Sequence, residues 1–319
     1  MFRYFVYGLD LSCDTTLPEL DSLAAISVEA TVPIVVHLRV AEHSDPGTAR
    51  WILRSTLPNG DDLALCGHIE GGYLLRYPGL GDFVVDRGGH RLRCTSIQLG
   101  TSAHTLRHLL LDQVLPLVLN LLGRDVLHAT AVDTPAGVCA FIGPAGAGKS
   151  TLAASFATAG YSTFCDDCLV VQRNGGILCI PGYPGVRLWS DSFAVLSNHL
   201  VKLSGVADYT SKNRVVSNSV NFPDSLRPLI AIYRISRPGN GEPALSASRV
   251  EPLTGRDAFM ELVSSAYVLD VSDPTTLLRH FRFIERLVAR VPVARLWLPN
   301  DFALLPSARR AILSAVGET

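Results

Sequence analysis

The residues Gly143-Pro-Ala-Gly-Ala-Gly-Lys149-Ser150-Thr151 match G-x-x-x-x-G-K-[ST] in full. Each residue type has a chemical reason. Gly143, Gly146 and Gly148 allow positive φ and close backbone approach. Successive amides then turn inward as a nest for anions, and the helix that follows adds its positive end. Lys149 supplies a point charge for the β- and γ-phosphates, and the Ser150 hydroxyl is suited to Mg²⁺. A nucleoside triphosphate is the expected ligand, held by Gly143, Ala145, Gly146, Ala147, Gly148, Lys149, Ser150 and Thr151. No N-K-x-D guanine signature is present, so ATP is the default base.

Phosphates alone do not define a reaction, and carboxylates close to the loop decide it. Asp166-Asp167 follow Lys149 by one helix and one short strand. One acid can hold Mg²⁺ and the other can accept the proton of an attacking hydroxyl. His128, on the strand before the loop strand, either reaches the γ-phosphate region or packs as a structural histidine. Arg187 sits in Pro181-Gly-Tyr-Pro-Gly-Val-Arg-Leu-Trp189, which reads as a rigid turn near the site. Lys212 and Arg214 lie in Ser211-Lys-Asn-Arg-Val215, which reads as a flexible basic loop able to clamp nucleotide or substrate.

The elements that must position these groups change character along the chain. Residues 1–100 read as a β-rich domain, with strands at 34–40, 51–55, 72–77 and 81–85 and turns at 58–60, 71–72 and 88–89. Residues 101–123 form a connecting helix that Pro116 kinks or splits. Residues 124–319 alternate strands and helices. Strands are expected at 126–132, 137–142, 162–165, 168–172, 229–235 and 293–298. Helices are expected at 151–159, 256–267, 274–290 and 306–316. A right-handed crossover would set strand 162–165 directly beside strand 137–142. The aspartates would then lie at the C-terminal edge of an α/β sheet, the usual binding edge.

Other patterns compete for attention. His104, His108 and Asp112 are four apart on the connecting helix, as a metal site would need, but exposed polar residues on an amphipathic helix show the same spacing. Cys165-Asp-Asp-Cys168 has neither a second pair nor a helix N-terminus to make it a zinc or redox site. The seven cysteines, an odd number, read as small core residues in a reducing compartment. A net charge of -1 argues against a nucleic-acid binder. The most apolar stretch, 106–123, is too polar and short to span a bilayer, and the N-terminus lacks a signal-peptide pattern. A cytoplasmic protein is the expectation.

Three elements in order resemble the HPr kinase/phosphorylase family and its smaller serine-kinase relatives. They are His128-Ala-Thr-Ala-Val132, the loop 143–151, and Gly160-Tyr-Ser-Thr-Phe-Cys-Asp166-Asp167. The likeness covers about residues 124–192. It implies a C-terminal P-loop kinase domain of that type behind a β-rich N-terminal domain, in an α/β (α+β overall) protein. It also implies ATP and Mg²⁺, with Asp167 as base and Asp166 beside Ser150 as metal partner, or the two aspartates in the reverse roles. His128 and Lys149 would stand around the transferred group. The glutamate-containing signature of HPr kinases proper has no counterpart in 181–189, so neither HPr as substrate nor the reverse reaction is implied. The expected activity is γ-phosphoryl transfer to a hydroxyl, a serine of a peptide or protein or else a small molecule. An ATPase or nucleotide-gated module without an acceptor is the rival. A homo-oligomer is compatible with either.

Overall fold

The structure is a computed structural model that describes residues 1–23, 31–39, 47–57, 59–97, 100–173, 175–218, 221–239 and 245–318. The expected strand end at Val40 and turn residue Pro58 lie outside these. The chain forms two compact units. One comprises 1–126, 206–210 and 267–280, the other 127–205, 211–266 and 281–319.

The first unit is built on an eight-stranded sheet. Its strands are β1 (Phe2–Val6), β2 (Leu9–Cys13), β3 (Val32–His37), β4 (Arg50–Thr56), β5 (Asp62–Ile69), β6 (Gly72–Tyr77), β7 (Gly81–Asp86) and β8 (Arg91–Ile97), in the order β1-β2-β3-β8-β7-β6-β5-β4. Alternation fixes its inner face: Leu9, Leu11 and Cys13 of β2 are buried, while Asp10 and Ser12 between them are partly exposed. The helical segment after the sheet runs as α1 (Ala103–His108), a π turn (Leu109–Val114) and α2 (Leu115–Leu121). Pro116 does divide the helix. It stands in the first turn of α2, where its missing N–H costs least, and the π turn before it makes room for its ring. His108 and Asp112 are not exposed polar residues of an amphipathic face. Both are buried, with Nδ1 and Oδ2 at 2.5 Å. No cluster of metal-ligand type occurs among the described residues.

The second unit is a mixed α/β layer structure. Following β9 (Asp125–Leu127) come β10 (Thr130–Thr134), β11 (Gly137–Ile142), α3 (Lys149–Ala157), β12 (Ser162–Cys165), β13 (Leu169–Arg173), β14 (Ile177–Ile180) and β15 (Val186–Leu188). Then come α4 (Ser190–Leu196), β16 (Leu200–Ala207), β17 (Thr210–Ser217), β18 (Arg227–Ser236), β19 (Arg249–Leu253), α5 (Gly255–Ser264), α6 (Pro274–Arg290), β20 (Val293–Trp297) and α7 (Leu305–Ala315). The main sheet runs β12-β10-β11-β18, with β14 and β20 on the far side of β18. All six residues of β11 are buried, as a central strand covered on both faces requires. Its side chains alternate between two cores. Val138, Ala140 and Ile142 join Phe283, Ile284 and Leu287 of α6. Cys139 and Phe141 join Leu152 and Phe156 of α3 and Ile312 of α7. Each Val, Leu, Ile or Phe side chain among these contributes about 1.5–3 kcal/mol when fully buried.

Four sequence expectations change here. The expected strand 126–132 is two strands, because Ala129 N donates to Leu127 O and bends the chain at His128. Strand β12 does not touch β11. The short connection after Thr134 folds β10 back onto β11 as a hairpin, and β12 pairs antiparallel with the other edge of β10. Lys212 and Arg214 lie in strand β17, not in a flexible loop, and Arg187 lies in strand β15 rather than in a turn. These two strands pair antiparallel with Arg187 opposite Arg214, and β16 completes a three-stranded sheet.

Candidate functional site

The glycine loop leaves β11 at Ile142 and enters α3 at Lys149. Gly143, Gly146 and Gly148 have φ of 143°, 80° and 104°. These values are left-handed and explain the three glycines. Gly148 is the N-cap residue of α3, whose first amides have no intrahelical acceptor. Lys149 is buried and its Nζ donates to the carbonyls of Gly143 and Pro144, at 2.9 and 3.4 Å, so its ammonium is held over the centre of the loop. Burial lowers its pKa, and Asp167 and Asp166 pull the other way. Thr151, in the first turn of the helix, directs its hydroxyl to Ser192 Oγ at 3.3 Å, and Ala145 is exposed at the loop tip.

Although β10 intervenes, the aspartates still arrive at the loop, since β12 runs parallel to β11 across it. Asp166 is buried and its carboxylate is ringed by donors. Oδ1 accepts from Ser150 Oγ at 2.9 Å and from Thr130 Oγ1 at 2.6 Å. Oδ2 accepts from the backbone N and Nε of Arg187, at 2.8 and 3.1 Å. Such a carboxylate is committed to holding its neighbours. The pair Ser150–Asp166 brings two hard oxygens together beside the loop, a donor set that fits Mg²⁺.

Asp167 differs. It has φ of 64°, uncommon outside glycine, and sits in the turn just after β12. His128 Nε2 lies 3.3 Å from Oδ1, and Arg187 Nη2 lies 3.4 Å from Oδ2. Burial alone would raise the carboxyl pKa. Arg187, the bond and charge of His128, and Lys149 outweigh it and hold the group well below the ordinary carboxylate range. Asp167 is therefore an anion at any physiological pH. Arg187, buried on β15, touches both acids and also donates to Asp166 O at 2.6 Å.

The structure thus gathers Lys149, Ser150, Asp166, Asp167, Arg187 and His128 at one sheet edge. Lys212 and Arg214 stand further out along β17. Lys212 lies over the Trp189 ring at 5.2 Å and Arg214 over the Tyr183 ring at 4.7 Å. Sequence reasoning missed Thr130. Its signal was a hydroxyl in an apolar strand two residues beyond His128, where a buried polar atom needs a partner. Cys165 and Cys168 are buried thiols, and burial raises Cys165 well above the ordinary thiol range. That is a core role, not redox chemistry.

No protein-family model matches the chain, and no curated protein matches it. Among solved structures, the HPr(Ser) kinase/phosphatase of Coxiella burnetii is similar at 14% identity, over 60% of this chain and 99% of that one, with a TM-score of 0.29. At that score the likeness is at most a distant relationship of fold. No helix among the described residues is long and apolar enough to cross a membrane.

Proposed function

We propose that the protein is an ATP-dependent kinase that transfers the γ-phosphoryl group to a hydroxyl, a serine side chain of a peptide or protein or else a small molecule. We further propose that residues 124–319 form the P-loop kinase domain of the HPr-kinase type. The observation that carries this reading is the convergence on the glycine loop of two acids with different surroundings: Asp166 bonded to Ser150 and Asp167 facing His128. A purely nucleotide-binding site has no need of the second acid, and a hydrolytic one would use it to orient water instead of an acceptor hydroxyl.

The roles follow from the geometry. The loop amides and Lys149 hold the phosphate tail, aided by the positive end of α3. Ser150 and Asp166 hold Mg²⁺, which when bound offsets phosphate charge. Arg187 fixes the two carboxylates relative to each other. Asp167 accepts a hydrogen bond from the acceptor hydroxyl and orients its oxygen for in-line attack. The new P–O bond forms as the bond to the ADP oxygen breaks, and the hydroxyl proton passes to Asp167. So weak a base suits a loose transition state in which the proton leaves late. His128 Nε2, 3.3 Å from Oδ1, keeps the Asp167 carboxylate in place. Charge stabilisation and positioning supply most of the rate.

The test is γ-labelled ATP supplied with cell extract to the wild type and to Lys149→Ala. The expected result is a labelled polymer or metabolite made only by the wild type. Free phosphate as the sole product would replace the kinase with an ATPase. Transfer that survives in Lys149→Ala would remove the loop from the mechanism.

A further inference from the structure

Resting on the nucleotide reading above, we infer that Arg237 is the positioning residue that shapes the anion nest, acting on the loop from behind. Arg237 follows the last residue of β18 and is absent from every motif in the sequence. Its Nε donates to the carbonyl of Ala147 at 3.0 Å. Its Nη1 donates to Pro299 O at 3.1 Å and Asn300 Oδ1 at 2.6 Å, in the turn that follows β20. One planar guanidinium therefore ties the loop to two segments more than eighty residues downstream of it. A flexible single-point donor could not make these bonds together.

The consequence for the loop is stereochemical. The Ala147–Gly148 peptide is planar and trans, since no cis peptide bond occurs among the described residues. In such a unit the C=O and the following N–H point in opposite directions. Arg237 draws the Ala147 carbonyl towards the β18 side, so the Gly148 N–H is turned to the opposite side, the loop interior. The same contact sets the limit on residue 148. A Cβ there would sit 2.6 Å from Arg237 Nη2 and push the guanidinium aside, while the φ of 104° itself favours glycine. Gly148 O in turn accepts from Leu152 N at 2.9 Å and starts α3. Arg237 thus sets the orientation of the peptide from which the helix and its free amides begin. No bond to a phosphate is needed for this role.

The experiment compares wild type, Arg237→Ala, Arg237→Lys and Asn300→Ala by calorimetric titration with Mg-ATP and with inorganic tripolyphosphate, alongside the melting temperature without ligand. Arg237→Ala is expected to weaken both probes by about ten-fold or more, equally for each, because the damage is to the phosphate nest and not to a base pocket. Arg237→Lys should recover part of the loss, and Asn300→Ala should lose about two- to five-fold. Wild type that binds and Arg237→Ala that binds both probes as tightly would overturn the assignment of Arg237 alone. Loss of ATP binding with tripolyphosphate unaffected would also overturn it. Wild type that binds neither probe would overturn the nucleotide reading itself. If Arg237→Ala does not fold, Asn300→Ala decides: unchanged affinity for both probes refutes the role.

Discussion

The molecule contains two histidine–aspartate pairs that look alike in composition and differ in everything around them. In the first unit His108 and Asp112, one helical turn apart, meet at 2.5 Å with side chains only 9% and 0% exposed. In the second unit His128 and Asp167 come from separate elements, meet at 3.3 Å, and remain 42% and 25% exposed. The first pair lies along a π-helical turn, close against the ring of Tyr209. The second stands beside Arg187 and Lys149, on a residue whose backbone is held at φ of 64°. A buried pair at close range organises a core, whereas a looser, accessible pair beside fixed cations is available to a reactant. Geometry separates structural from chemical use where residue type does not.

The sharpest way to break this contrast is to remove one acid from each pair. Asp167→Asn keeps the size and tolerates the left-handed backbone. It should lower the phosphoryl-transfer rate constant by about 10²–10⁴ at saturating ATP, with ATP affinity changed only a few-fold. Full activity in Asp167→Asn would remove the acceptor role from this residue. Asp112→Ala should act the other way. Taking away one member of a buried pair costs about 3 kcal/mol in urea unfolding, while the transfer rate constant stays within about two-fold of wild type. A variant that kept its stability but lost transfer would reverse the comparison.

Acidity offers a smaller and more specific test. The Asp167 pKa is depressed in the folded protein, so its charged form contributes stability above the unfolded carboxylate value of about 4 and loses that contribution as pH falls below it. The melting temperature of wild type minus that of Asp167→Asn should shrink as pH falls below about 5. Other depressed carboxylates, such as the exposed Asp208 at about 2, are common to both proteins and cancel in the difference. A difference that grows with acid would mean that Asp167 is not held as an anion by Arg187 and His128.

How much of this was legible in the sequence depends on whether the information was local. The loop 143–151, the helix after it and the doublet Asp166-Asp167 are contiguous stretches whose residue types prescribe their own conformations. Arg187, Lys212 and Arg214 were recognised as charges near the site, yet their elements were misread. Strand β15 has only three residues, β17 is rich in polar residues, and both are defined by pairing with each other across more than twenty residues. The β1, β2 and β8 strands went unread for the same reason, since register is a property of two chains of residues at once. The insertion of β10 between β11 and β12 was missed because a crossover predicts handedness without saying how many strands it passes. Thr130 and Arg237 carry no motif. Only the buried acid and the loop carbonyl that they bond give them meaning.

The smallest expected effect separates the two acids of the doublet from one another. Thr130 Oγ1 donates to Asp166 Oδ1 at 2.6 Å and is fully buried. Thr130→Val keeps the shape and deletes this donor, while Ser150 and Arg187 continue to hold the carboxylate. The loss in stability should be about 1 kcal/mol. Because Asp166 is assigned to the metal side, the transfer rate should fall only a few-fold, and the Mg²⁺ concentration for half-maximal rate should rise by a similar factor. Thr130→Ser should restore both. If Thr130→Val instead matched the loss in Asp167→Asn with no change in Mg²⁺ dependence, the carboxylate that receives the proton would be Asp166. The roles of the two aspartates would then be exchanged: the crowded acid would do the chemistry, and the accessible pair with His128 would serve to position it.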